Sequence, residues 1–176
     1  MSALRLQQSA ARCRGWARAE GTLYEVVGGW VATTAEPGAK IYFDACSQHH
    51  AWRAAAWRER FPGTAAGTGG LSRAASTALA QSVQAGALER LAVYCRAVLS
   101  RAVVAYELWR EECLASFDRP VIRTLDMVRA DVLADWRGGE ELLQTLMRGE
   151  PDALVVARAV GEAERLLAGQ SLVADV

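Results

Sequence analysis

Residues 18–62 read RAEGTLYEVVGGWVATTAEPGAKIYFDACSQHHAWRAAAWRERFP. Glu36-Pro37-Gly38 divides the stretch. Proline lacks an N–H and its ring clashes with the preceding turn, so no helix runs through it. Before it, Trp16, Glu20, Leu23, Val27, Trp30 and Val31 recur at spacings of three and four, the mark of one buried helical stripe. The spacing predicts two long antiparallel helices joined by a tight turn. Gly28 and Gly29 interrupt the first helix at a cost of roughly 1 kcal/mol each against alanine. Their missing side chains let a neighbouring helix or a ligand come close. The same stretch holds both histidines of the chain and three of its six tryptophans.

Outward from this pair, the second helix (about 38–61) stops at Phe61-Pro62-Gly63. GTAAGTGG (63–70) then reads as a flexible joint, and a small-residue segment over 71–85 as a short helix. Roughly twenty residues in all separate the second and third long helices, more than a hairpin needs, so a crossover is expected. The third helix covers about 85–115. Asp118-Arg119-Pro120 opens the fourth with an N-cap and a proline in the first turn. Gly138-Gly139 is expected to kink or break it before a last piece to Met147. Pro151-Asp152 opens a fifth helix that closes near Gly169. No segment reads as strand. The expected architecture is all-α, an up-down-down-up four-helix bundle with a long crossover and an extra C-terminal helix. At 176 residues it is expected to be one domain, 1–176.

Twenty basic and twenty acidic residues give zero formal charge, so no global field draws in nucleic acid or an anionic membrane. Arg5, Arg12 and Arg14 with no apolar stretch beside them read against a signal peptide. The uncharged part of 74–88 is too short to span a bilayer. A cytoplasmic protein is expected. Cys13, Cys46, Cys95 and Cys113 form no CxxC pair and read as buried thiols. Gly67 to Gly70 lacks the Lys-Ser/Thr of a phosphate loop and reads as a hinge.

EGTLYEVVGGWV (20–31), HAWRAAAWRERFP (50–62) and RPVIRTLDMVRADVLADW (119–136) resemble segments of the ferritin-like superfamily, particularly its bacterial di-iron-type members. The resemblance covers about residues 15–147. It implies a metal site built from a Glu on each of two helices and a Glu-x-x-His on each of the other two. The sequence departs from that pattern. Three residues before His49 stands Cys46, three before His50 stands Ser47, and the fourth helix has no histidine. Two Glu-x-x-His sets are therefore impossible, and the resemblance implies a scaffold whose metal site has degenerated.

Some inward acids remain. Counting equal distances from the turn puts Glu20 within about one helical turn of His49 and Arg53, using ~1.5 Å per residue. Glu107 follows Val103 by four and is the expected inward carboxylate of the third helix; Asp131 flanks the matching level of the fourth. Glu20, His49, Glu107 and Asp131 are thus the candidate catalytic residues. Trp30, Cys46, Trp52, Arg53 and Tyr94 are the candidate substrate-binding residues around them. An unpaired buried charge is costly, so Glu20 is expected to pair with Arg53 or His49. That pairing fixes helix register in the plainest reading. In the sharper one, the same groups do acid–base work on a small organic substrate in the bundle cavity, without metal, in a cyclisation, condensation or elimination of bacterial secondary metabolism. Iron or manganese on those residues is what a non-heme oxygenase would need. A third reading is a non-catalytic bundle whose fifth helix, through Leu154, Val156 and Leu167, docks a partner or makes a homodimer.

Overall fold

The computed structural model describes residues 2–61 and 69–174, and these are all-helical apart from one two-residue ladder. The helices are α1 (Ser2–Thr33), α2 (Pro37–Arg58), α3 (Arg73–Gln81), α4 (87–112), α5 (Arg119–Leu146) and α6 (Glu150–Leu167). Helix α4 begins as α-helix at Ala87–Ala92, widens to a π-helix over Val93–Leu99 and returns to α-helix at Ser100–Glu112. The all-α class holds, and the ladder corrects only the reading that no segment is strand. Gly70–Leu71 (β1) pairs antiparallel with Val173–Ala174 (β2), tying the end of the crossover to the chain's last described residues. Of the 63–70 joint, residues 63–68 lie outside the described residues.

The turn between α1 and α2 forms as its residues require. Thr34 Oγ1 donates to the Trp30 carbonyl at 2.8 Å and closes α1. Glu36 caps α2 by accepting from the Ala39 N–H, with Pro37 in the first turn. Gly28 then meets α2 closely, because a Cβ there would stand 2.8 Å from Ser47 Oγ; Gly29 faces open space. Arg90, buried, closes two helix ends at once. It donates to Thr34 Oγ1 at 2.8 Å beside the end of α1, and to the Ser82 carbonyl at 3.2 Å just past α3. A cation there meets the negative ends of both helices.

Helix α5 does not break at Gly138-Gly139; it is continuous to Leu146. Gly139 serves packing, since a Cβ there would collide with the Tyr42 hydroxyl and the Cys95 sulfur. Asp118 stands at the N-cap of α5, but its carboxylate accepts from Leu114 N–H at 2.9 Å rather than from the helix's own first turn. Helix α6 lies against α3 and α4. Val156 and Leu167 are buried there and Leu154 alone of the three expected face residues is exposed. The core otherwise joins α1, α2, α4 and α5 through residues such as Trp16, Trp30, Phe43, Trp57, Leu99 and Leu125. No helix among the described residues is long and apolar enough to cross a membrane.

Candidate functional site

Four helices send polar side chains into one buried cluster. Glu20 (α1) is its centre, 1 % exposed. Arg53 Nε (α2) donates to its Oε2 at 3.1 Å, and Tyr106 O–H (α4) donates to Oε1 at 2.7 Å. Trp57 Nε1–H in turn donates to the Tyr106 oxygen at 3.1 Å. His50 Nδ1 also meets Glu20 Oε2, and Tyr94 O–H lies 2.7 Å from His50 Nε2. On the far side of the guanidinium, Arg53 Nη1 donates to Asp135 Oδ2 (α5) at 2.8 Å. Asp135 Oδ1 lies 2.6 Å from His49 Nδ1, and the His49 side chain is 35 % exposed. The cluster thus runs from a sealed interior to a half-exposed imidazole.

Electrostatics fix the protons. Burial alone would raise the Glu20 pKa, but the Arg53 charge and His50 outweigh it and hold the carboxyl at about 2. An ionised Glu20 only accepts, so the shared proton sits on His50 Nδ1 and Nε2 accepts from Tyr94. This leaves Arg53 Nη2, 2.9 Å from the same Nδ1, in contact without a bond. Burial pushes the His50 pKa down against the pull of Glu20, which keeps the ring neutral. Burial likewise raises Tyr94 and Tyr106 well above the usual phenol range. Arg53 is raised although burial acts the other way, because Glu20, Tyr94 and Asp135 hold its charge. Cys46 and Cys95 are thiols, pushed up to about 12 chiefly by burial. Tyr42 O–H donates to the Asp135 carbonyl at 2.7 Å and fixes the backbone that carries the aspartate.

Among the expected site residues, the structure brings together Glu20, Arg53 and Tyr94. His49 is in the cluster, but on Asp135 rather than Glu20; the imidazole on Glu20 belongs to His50. Glu107 is not there. It is half-exposed and accepts from Arg129 Nη1 at 2.7 Å. Asp131 is exposed and its place is taken by Asp135, one helical turn on. Trp30 and Cys46 are buried. Trp30 packs edge-on to Phe43 and Tyr94 instead of facing open volume. Trp52 lies outside, 64 % exposed, with its ring centroid 5.3 Å from that of His49.

Three residues went unassigned: His50, Tyr106 and Asp135. Signals for all three exist. Tyr106 follows Ala102 by four and precedes Trp109 by three in the apolar rhythm of α4. Asp135 continues Val121, Leu125, Val128 and Val132 at spacings of four and three, and His50 lies seven from both Phe43 and Trp57.

The di-iron ligand set that the resemblance implies does not fit these residues. Glu20 and Asp135 both spend oxygens on Arg53, whose guanidinium lies between them, and each imidazole directs Nδ1 at a carboxylate. Among the described residues no three His, Cys, Asp or Glu side chains are grouped to hold one ion. What the arrangement offers chemically is a histidine–aspartate dyad, backed by a buried cation, with the imidazole reachable from solvent. Compared with protein-family models, with curated proteins and with solved structures, the chain matches none.

Proposed function

We propose that this chain is a metal-independent bundle of ferritin-like type that binds a small organic substrate, with acid–base work falling to His49 and Asp135. The observation that carries the reading is the Asp135–Arg53–Glu20 chain, with Arg53 Nη1 2.8 Å from Asp135 and Nε 3.1 Å from Glu20. A guanidinium between two inward carboxylates supplies the positive charge that a metal would otherwise supply. The up-down-down-up topology belongs to the same proposal. It is supported by the α1–α2 hairpin, the long connection through α3, and the α4–α5 pair bonded Arg96 to Glu140 and Arg110 to Asp126.

Asp135 orients the imidazole by taking its Nδ1–H, which leaves Nε2 as the proton acceptor. Arg53, bonded to its other oxygen, fixes the carboxylate in place. The exposed Trp52 ring beside His49 gives a planar substrate a face to stack on. A reporter ester tests this. Purified protein should hydrolyse 4-nitrophenyl acetate faster than an equal concentration of free imidazole, and His49→Ala should lose that excess by at least tenfold. Equal rates in the two proteins would reduce the cluster to a structural device. That second reading is favoured by one observation of its own: Glu20, His50, Arg53, Tyr94 and Tyr106 are all sealed from solvent, as a register-fixing network requires. Stoichiometric iron or manganese lost in the same variant would instead favour the oxygenase reading.

A further inference from the structure

The half-exposed end of the cluster lies in the seam between α2 and α5. The two helices run antiparallel there. Gly38 lies against Leu142, Tyr42 reaches the Asp135 carbonyl, and Arg53 reaches the Asp135 side chain. Stepping from His49 to Trp52 along α2 is therefore stepping from Asp135 to Asp131 along α5. The Trp52 ring hangs over this seam, because its centroid is 5.3 Å from that of His49, whose Nδ1 is 2.6 Å from Asp135 Oδ1. Asp131 precedes Asp135 by four, which puts their Cβ atoms ~5–6 Å apart on one side of the helix. An exposed indole face and an exposed carboxylate thus stand on the same side of His49, each within about one helical turn of the dyad.

The charge here is one-sided. Asp131 makes no hydrogen bond or ion pair among the described residues. The basic residues of the two helices do not neutralise it. Arg53 is sealed beneath, bonded to Glu20 and Asp135, and Arg129 is bonded to Glu107. The Arg58 guanidinium is turned to α1, 3.8 Å from where a Cβ of Gly21 would stand. Arg123 and Arg137 are ~12 Å and ~9 Å from Asp131 along the helix axis, and Lys40 is ~18 Å from Trp52, at ~1.5 Å per residue. An aromatic face attracts cations through its quadrupole, indole most strongly. An unpaired carboxylate selects the same sign.

We infer that the substrate at this site is a small arylalkylamine cation, its ring on Trp52, its ammonium on Asp131 and its reacting group beside His49 Nε2. The inference rests on the proposed acid–base reading for the chemistry, and on Trp52 and Asp131 for the binding. A neutral analogue keeps the stacking alone, and an anionic one meets repulsion from Asp131.

Three probes share one ring and differ in charge: 2-phenylethylammonium, 2-phenylethanol and phenylacetate. Calorimetry at pH 7 and low salt should find the cation bound at least fivefold more tightly than the alcohol, with the acid weakest. The cation should also shift the ring-proton resonances of His49, assigned by their loss in His49→Ala, and leave those of the sealed His50 unmoved. Asp131→Asn should weaken the cation at least fivefold and leave the alcohol unchanged, whereas Trp52→Gln should weaken both. Both positions are exposed, so the fold should survive, as circular dichroism would verify. Absence of cation binding, equal affinity for the three compounds, or an unchanged Asp131→Asn overturns the inference. Binding that leaves the His49 resonances where they were overturns it too. The two readings fail separately. A His49-dependent ester rate without cation binding keeps the dyad and removes the amine; Asp131-dependent cation binding without that rate keeps the amine site and removes the acid–base reading.

Discussion

At the residue scale, the cluster is held by what is absent at position 139 as much as by what is present around it. Tyr42 reaches the Asp135 carbonyl because α5 carries no side chain at the crossing with Tyr42 and Cys95. A methyl group there has no room on either side. Gly139→Ala should therefore destabilise the protein by about 1–3 kcal/mol despite alanine's better helix propensity, since overpacking a filled core forces its neighbours off their rotamers. The urea midpoint should fall with an unchanged slope. Gly138→Ala, which meets nothing within 4 Å, is the control and should stabilise slightly. Equal effects at the two positions would mean that the crossing relaxes at no cost.

At the scale of elements, the π-helical stretch of α4 explains how one helix serves the cluster twice. Tyr94 and Tyr106 reach the same His50–Glu20 pair, yet an ideal α-helix would place residues at that separation about 120° apart, at ~100° per residue. The wider turn over Val93–Leu99 absorbs the difference. Deleting Ala97 should let the stretch close to α-helix with Tyr106 still on Glu20, at modest cost. Deleting Ala105, within the α-helical part, should turn Tyr106 and Trp109 off the core and abolish cooperative melting. Near-ultraviolet dichroism from the stacked Trp57 and Trp109 would report the difference; the reverse ranking would remove the π stretch from the account. This is also where sequence reading reached its limit. Pro37, Pro120 and Pro151 and the periodic apolar stripes made every long helix legible. Glu107 follows Val103 by four within the α-helical part of α4, but Val103 is itself only partly buried. The inward face there is Ala102, Tyr106 and Trp109. A spacing of four from one apolar residue does not tell which of two neighbouring stripes is the buried one. The Gly138-Gly139 pair reads as a break because glycine's helix cost is visible in a sequence and a crossing partner is not.

At the scale of the whole molecule, the cluster ties folding to pH, because its central acid is buried and its partners Arg53 and His50 set the sign. Glu20 has a folded pKa of about 2 against an ordinary 4.5, worth of order 3 kcal/mol of stability above pH 4.5. A depressed acid contributes that stability in full above its unfolded value and loses it as pH falls through its folded one. His50 adds to the same trend. Its depressed pKa keeps it neutral in the fold, so below about 6.5 the unfolded chain binds a proton that the folded one refuses. Stability should therefore decline gently from pH 6.5 and more steeply between 4.5 and 2, with no matching loss on the alkaline side from these two groups. Glu20→Gln should be less stable at pH 7, since Arg53 loses one of its two carboxylates, but its stability should change less between pH 4.5 and 2. His50→Gln should remove the shallow upper limb and keep the lower one. Urea midpoints for the three proteins across that range decide the matter: parallel curves for wild type and Glu20→Gln would mean that the buried carboxyl is not the ionised centre of the network.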